Sequence, residues 1–517
     1  MKVVLYRFCL IVVTLLIGGA SLRAQTDSLT AGLLVNQIIP TGNGLTVLKT
    51  DQGENPTVIT LEYVNDSMQL ASTRTVSLLH RGMPSRLEAA FEWNGRVNVL
   101  TSFFFPGPKR HHLILRQFDP LDSLREVFVR VISESYLPEG SPAPAHYAIS
   151  PDGSRLLFVS WELGIAEDPT RMHFLVYGEQ MHPLRDERVL LPYTNDRSYL
   201  DGVALRDDEQ IILLFEVYTG KLSRWASPSA TQVDRFALFF AADGGEPESL
   251  PLRMPEKHLP MEYDMTLDRA GNLLIAGFYR HQNKAHWAGA FWHRQRAHGG
   301  GFDRRYFPID RHQLRAAYGG PGSEIEVPKH AFTRYRLDHL LMNESGDVTL
   351  LAERVYEQQS REVYRTGPGL LLPDEFFDDV LILRIDAKGN LRYTTRLPKL
   401  QMAPAWISNR MSYQVAQDSA RLYLIYNDLP DNYQNRAAAT DIERFENERD
   451  IPVLAEVDER GAFRYFLLNG IRTPNFTVRP RLSIPLPGQR MLFYEEFLGK
   501  DYRYLMSVIN IGRLSQQ

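Results

Sequence analysis

Four histidines, His281, His286, His293 and His298, fall within eighteen residues and share that stretch with Trp287 and Trp292. Imidazoles in that number suggest a metal site. The spacing works against one: His286 and His293 are seven apart, so on one straight strand they face opposite sides. The helical zinc pattern of two histidines flanking a glutamate is also absent. Exposed or aromatic-packed histidines are the expectation. A second stretch, Asn427-Asp428, Asp431-Asn432 and Asn435, is rich in the oxygen donors that calcium takes. It matches no EF-hand spacing, so Asp428, Asp431 and Asn432 are a weak calcium candidate beside the reading as an Asx-rich turn. No other cofactor is implied. Phe103-Phe104-Phe105-Pro106-Gly107-Pro108-Lys109-Arg110-His111-His112 is an aromatic strand end with a basic turn, either a protein or glycan contact or phenylalanines packed under solvated charges. Nucleophile-elbow, phosphate-loop and dinucleotide patterns are absent. Gly299-Gly300-Gly301 lacks the strand–helix setting that would bind phosphate.

The elements that must position these residues repeat. An apolar strand reaches a polar turn, usually ending in Gly, and a second apolar strand follows. Ser150-Pro151-Asp152-Gly153 before Leu156–Val159, Asp268-Arg269-Ala270-Gly271 before Leu273–Ala276, and Asn343-Glu344-Ser345-Gly346 before Val348–Leu351 are the clearest copies. Eight turns align, at Gly44, Gly95, Gly153, Glu209, Gly271, Gly346, Ala420 and Gly488. Their separations of about fifty to seventy-five residues suit four-stranded propeller blades with loop insertions. Glu209 and Ala420 replace Gly, which predicts a different or looser backbone at those turns. Further strand pairs follow, with hairpin turns at Asp386-Ala387-Lys388-Gly389 and Asp458-Glu459-Arg460-Gly461. The near-continuous apolar runs fit strands covered on both faces.

The expected fold is therefore all-β, a single propeller of about eight blades. Seven blades, two stacked smaller propellers, or a propeller with a β-sandwich are the alternatives. The last unit offers three strands (Arg479–Ile484, Arg490–Glu495, Tyr502–Ile509), and Leu29–Val35 is the candidate N-terminal strand that closes the ring. Insertions are expected near 223–234, 293–315, 357–379 and 428–450, with a short helix at the capping box Thr440-Asp441-Ile442-Glu443.

In a propeller the innermost strand of each blade lines a central channel. Counting back seven or eight residues from each turn reaches Gln37, Glu88, His146, Asp201, Tyr263 with Asp264, Asp338 with His339, Tyr413 and Arg481. This ring is polar. It is either a ligand pocket at the channel mouth or a solvated channel, and an acid–base pair such as Asp338 with His146 is one arrangement it allows.

Ser150-Pro151-Asp152-Gly153-Ser154-Arg155 with Leu156–Val159 resembles the blade signature of the TolB-like and WD40-like propellers. The resemblance implies the fold and partner binding on propeller faces, and brings no catalytic motif.

Hydrophobic residues at 44 % and charged residues at 23 % suit a globular chain, and 24 Tyr with 26 Phe favour strands. Lys2 and Arg7, the apolar run Leu10–Ile17 and the small residues to Ala24 form a secretory leader, with cleavage expected after Ala24 although Leu22 is large. The apolar run is shorter than the ~20 residues a spanning helix needs, and no later segment is long enough. The single cysteine, Cys9, lies in the leader, so the mature domain 25–517 is expected to lack disulfides. Losing Lys2, Arg7 and Arg23 makes a chain of net charge −4 more acidic, which argues against nucleic acid. The expectation is an exported propeller, periplasmic or at the cell surface, that binds or scaffolds a protein or glycan partner without catalysis. The alternative is a secreted glycan hydrolase or lyase with carboxylates and histidine at the channel mouth.

Overall fold

The computed structural model describes the chain except residues 1–13, 17–18, 28–32, 52–56, 81, 106–109, 136–144, 163–167, 196, 220–232, 285, 298–300, 310–334, 359–373, 405–410, 436–450, 469–475, 498–502 and 512–517. It is one β-propeller of eight antiparallel blades. From the inner strand outward, blade 1 is Leu33–Thr41, Gly44–Asp51, Val58–Asn65 and Leu70–Ser77, and blade 2 is Arg86–Trp93, Arg96–Phe105, Arg110–Asp119 and Arg125–Ser135. Blade 3 is Ala145–Ile149, Leu156–Glu162, Pro169–Tyr177 and Pro183–Thr194, and blade 4 is Ser198–Leu205, Ile211–Tyr218, Val233–Phe240 and Glu248–Pro251. Blade 5 is His258–Leu267, Leu273–His281, Trp287–Gln295 and Phe302–Pro308, and blade 6 is Tyr335–Met342, Val348–Gln358, Asp374–Ile385 and Leu391–Leu397. Blade 7 is Tyr413–Gln417, Leu422–Asp428, Ile451–Val457 and Phe463–Leu467. In blade 8, Phe476–Val478 and Ile484–Leu486 share the inner position, followed by Arg490–Phe497 and Arg503–Asn510.

The middle strands are apolar because a neighbouring blade covers each of their faces. Ile211–Tyr218 has buried residues on both sides, so strand alternation disappears. Apolar clusters form between blades: Leu61 and Val99 belong to one between blades 1 and 2, Phe174 and Phe215 to one between blades 3 and 4, and Leu424 and Ile382 to one between blades 6 and 7.

All eight aligned turns join an inner strand to the second strand of its blade. At Asp268, Asp386 and Asp458 the carboxylate accepts from the backbone N–H groups two and four residues on, which closes the turn without help from solvent. Glu209 does not change the backbone as expected. It takes φ 66°, the left-handed conformation that Gly153 and Gly271 adopt at φ 75° and 74°. Ala420 does change it, because Asp418 accepts from both Ala420 N and Arg421 N and the turn closes from Asp418 to Arg421.

The closing strand differs from expectation. Leu33–Val35 is already paired inside blade 1, opposite Lys49–Asp51. The outer position of blade 8 is taken by Gly19–Asp27, antiparallel to Arg503–Asn510. Cleavage after Ala24 would leave only Gln25–Asp27 of that strand. The seam between blades 8 and 1 has a second fastening. Lys49 Nζ lies 2.5 Å from Glu62 Oε1, the Tyr504 hydroxyl donates to Glu62 Oε2 at 2.6 Å, and the ammonium sits 4.7 Å from the Tyr504 ring centre.

Two further expectations shift. Arg481 lies on a 3-10 turn, Pro480–Leu482, that interrupts the inner position of blade 8, since Pro480 has no N–H for the ladder. The expected insertion at 293–315 overlaps two blade strands, Trp287–Gln295 and Phe302–Pro308, and the longer connection runs from Pro308 to Tyr335. The capping box at 440–443 lies outside the described residues, and a helix is present at Pro430–Asn435. No helix among the described residues is long and apolar enough to cross a membrane.

Removing one partner of a buried ion pair strands the other charge, at a cost of about 3–5 kcal/mol. Lys49→Met is expected to lower unfolding free energy by that amount in urea titrations. Lys49→Met with Glu62→Leu should recover most of it. A loss under about 1 kcal/mol for the single variant would show that this seam does not depend on the pair.

Candidate functional site

Five inner strands carry a β-bulge near their start. Asn36, Glu88, Asp201 and Asp338 each have no partner in the register of the second strand, and Met261-Glu262 stand opposite the single residue Phe278. A bulge frees one residue from the ladder and re-aims its side chain. Here four of the five bulges present a carboxylate. In blade 5 the bulge needs a glycine on the facing strand, because a Cβ at Gly277 would lie 2.2 Å from Glu262 O and 2.5 Å from Tyr263 Cα.

Two of these bulges head the same constellation. In blade 4, Asp201 is followed fifteen residues later by Glu216 on the second strand. Glu216 Oε1 accepts from Arg235 Nε and from the Tyr263 hydroxyl of blade 5, both at 2.5 Å. In blade 6, Asp338 is followed fifteen residues later by Glu353. Glu353 Oε1 lies 2.5 Å from Lys399 Nζ, and Oε2 accepts from the Ser412 hydroxyl of blade 7 at 2.6 Å. Both second-strand glutamates have a fixed basic partner.

The bulged aspartates are less well compensated. Asp201 is open to solvent at the residue level yet surrounded by protein on most sides. Loss of bulk water pushes its carboxyl up to about 6, the Glu216 and Asp264 charges push the same way, and Tyr263 and Arg235 oppose them. Asp338 is also pushed up to about 6, by burial and the Glu353 charge, with Arg336 at 3.0 Å and Arg481 opposing. Asp264 and Glu262 are raised by burial too, and Glu262 is partly held down by the Leu337 N–H of blade 6 and by Arg336.

The predicted channel residues thus fall into two groups. Asp201, Tyr263 and Asp264 act on one another at blades 4 and 5. Asp338, His339, Tyr413 and Arg481 form the second at blades 6 to 8. Tyr413 is fully buried under the His339 ring, 5.6 Å between centroids, and burial, Asp338 and Glu353 raise its hydroxyl. His339 is lowered by burial and by Arg481 against the opposing pull of Glu353. His146, on the inner strand of blade 3, is lowered by burial, and among the described residues no hydrogen bond or ion pair joins it to Asp338. Gln37 donates to Ala90 O at 2.7 Å, and Glu88 accepts from Ser102 Oγ at 2.5 Å. Sequence reasoning missed Glu262, Glu216 and Glu353. The repeated fifteen-residue Asp–Glu spacing, and the in-strand glycines Gly202 and Gly277, are the signals that point to them.

The other candidates resolve simply. His293 is buried among Phe291, Phe302 and Tyr306, and burial with the Arg304 charge pushes it down to about 3. His286 is exposed, and His281 packs edge-on to His258. His298 lies outside the described residues. Asp428 Oδ1 accepts from Leu429 N and from the side-chain amide of Asn432, both at 2.8 Å, just before the helix Pro430–Asn435, and Asp431 is exposed. Among the described residues no group of three His, Cys, Asp or Glu is placed to hold a metal ion. Phe103 is buried and stacks on His80 and His112, while 106–109 lie outside the described residues.

Fold and site together define a β-propeller with a carboxylate-lined inner rim. No family model matches the chain, and no curated protein matches it. Among solved structures it is similar to the propeller domain of the Trilobed protease from Pyrococcus furiosus, at TM-score 0.34 and 10 % identity over 85 % of this chain and 94 % of that one. The polysaccharide lyase Uly1 gives 0.36 and 10 % over 82 % and 89 %. Prolyl oligopeptidase B from Galerina marginata gives 0.43 and 9 % over 90 % of this chain and 55 % of that one. These likenesses are too loose to carry an activity across.

A carboxyl whose folded pKa is raised from the ordinary 3.8 to about 6 contributes stability below pH 4 that is lost as pH rises toward 6. Asp201→Asn is expected to flatten the melting temperature between pH 4 and 6 and to raise it at pH 7 to 8. An unchanged pH profile in thermal melts would show that Asp201 is not desolvated.

Proposed function

We propose that this chain is an exported, non-catalytic binding propeller of a bacterial envelope, holding a protein or glycan partner on the face where its inner strands begin. The observation that carries this reading is the placement of its long connections. Antiparallel order puts the start of each inner strand, the second-to-third connection and the exit of the outer strand at one end of every blade. The long connections, Tyr218 to Val233, Pro308 to Tyr335, Gln358 to Asp374 and Asp428 to Ile451, all leave and return at that end. Loops positioned by a rigid scaffold are where binding concentrates. His146, Asp201, Tyr263, Asp264, Asp338, His339 and Arg481 border the same mouth and are the proposed ligand contacts, with Tyr413 beneath them.

Catalysis is the second reading, and Asp201 favours it: a carboxyl near 6 beside Asp264 suits a general acid in a glycan hydrolase or lyase. Against it, the same Asp–Glu–cation constellation stands in blade 4 and again in blade 6. A device repeated in two blades reads as part of the scaffold. The leader and the acidic chain support export and argue against nucleic acid. The reading needs no cofactor.

A photo-crosslinking residue at Tyr199, 61 % exposed at the start of the blade 4 inner strand, tests the face directly. It should capture a reproducible envelope partner, while the same residue at Arg269, on the opposite turn face, should not. Capture only from Arg269, or turnover of an envelope polysaccharide that Asp201→Asn abolishes, would overturn the reading.

A further inference from the structure

On the loop-bearing face, blades 3, 4 and 5 enclose a groove of about 1290 Å³. That exceeds the ~300–1,000 Å³ of a site for one small molecule, so the space suits a chain. The chain as a whole is acidic, but this groove is basic. Arg197, Arg235 and Arg253 line it, and Asp234 is the one acidic residue among its described lining. Arg235 is held by Glu216. Arg197 and Arg253 are exposed, and their guanidinium groups make no hydrogen bond or ion pair among the described residues.

Their positions set a length. Arg197 immediately precedes the inner strand of blade 4, and Arg253 follows its outer strand. Three strand spacings separate these positions, about 14 Å at ~4.8 Å each. A ligand that meets both guanidinium groups carries anionic groups at about that distance, repeated along an extended backbone. The Tyr193 and Tyr218 side chains also line the groove, Tyr193 with its ring against Phe215 and Phe236. Such rings offer an apolar face with a polar edge. That combination fits a sugar ring, and a planar guanidinium fork fits a carboxylate or sulfate group. A peptide strand is less well served. Peptides that add to a sheet need free main-chain donors on its outer edge, and at this end of that edge Pro251 has no N–H and Arg253 N is bonded to Pro251 O at 3.0 Å.

We infer that the groove between blades 3, 4 and 5 binds an acidic polysaccharide chain, with Arg197 and Arg253 holding anionic groups on separate sugar units. The inference rests on the reading of this face as a partner-binding surface and specifies the chemistry of the partner.

Binding of a uronate hexasaccharide to the full-length exported protein, followed by calorimetry, tests it. A uronate disaccharide, a neutral hexaglucoside and hexaglutamate are the comparison probes. The hexasaccharide should bind, and weaken as salt is raised. The disaccharide and the neutral chain should bind at least about tenfold more weakly. Arg197→Gln and Arg253→Gln should each lose about tenfold and the pair more, with melting temperatures unchanged because both side chains are exposed. Arg269→Gln on the opposite face should bind as the parent does. Equal binding of the neutral chain, or a double variant that binds normally, overturns the inference. Hexaglutamate binding as tightly as the uronate chain, and lost in the same variants, overturns it in favour of an acidic protein segment. If no glycan binds while the Tyr199 crosslinker still captures a partner, this inference falls and the broader reading stands. If neither occurs, both fall.

Discussion

Everything in this molecule depends on the seam between neighbouring blades. The buried apolar residues are not gathered at the centre of the ring but between adjacent sheets, as with Phe174 of blade 3 against Phe240 of blade 4 at 4.9 Å between ring centroids. A blade by itself would expose two apolar faces. It is stable only with a partner on each side, so the ring has to close. Polar fastenings follow the same seams. Trp93 donates to Gly153 O of blade 3, Arg206 to Gly271 O of blade 5, Arg294 to Ala387 O of blade 6, and Arg384 to Ser419 O and Ala420 O of blade 7. Gln489 of blade 8 reaches back to Asp418, and Tyr504 of blade 8 reaches Glu62 of blade 1.

Because the seams bury the apolar surface, the centre is left to polar groups. The inner strand has one free edge, so it can bulge without breaking a ladder on both sides. That is why the bulges at Asn36, Glu88, Asp201, Glu262 and Asp338 all sit on inner strands. It also explains why two aspartates with raised pKa values persist there. Each is balanced in part by a neighbouring arginine, and the folding free energy comes from elsewhere.

The repeat was legible because turn chemistry is local. Asp-x-x-Gly before an apolar run requires a left-handed residue and an Asx cap, and both are written in consecutive residues. Glu209 misled because a non-glycine residue can occupy the left-handed region when its neighbours fix it, here Arg206 O accepting from Glu209 N. The closing strand misled for a different reason. Leu33–Val35 and Gly19–Asp27 both lie upstream of the first turn, and only the pairing of Val35 with Lys49 decides between them. The candidate site was half legible. Counting back from the turns found Asp201 and Asp338, but the register slip that re-aims them is a property of two strands together. Glu216 and Glu353 were missed because a blade position gains its meaning only from the partner across the sheet.

The fastenings also divide the two faces. Side-chain bonds to Gly153 O, Gly271 O, Ala387 O and Ala420 O lock the turns of one face to the next blade, so the length and shape of those turns are constrained around much of the ring. The connections on the other face are also bonded across blades, Gln401 to Asn427 O and Asn427 to Val478 O among them, yet their lengths range from the short link at 106–109 to the long one after Asp428. The Arg197–Arg253 groove opens on this face of unequal connections, and the opposite face carries the short bonded turns.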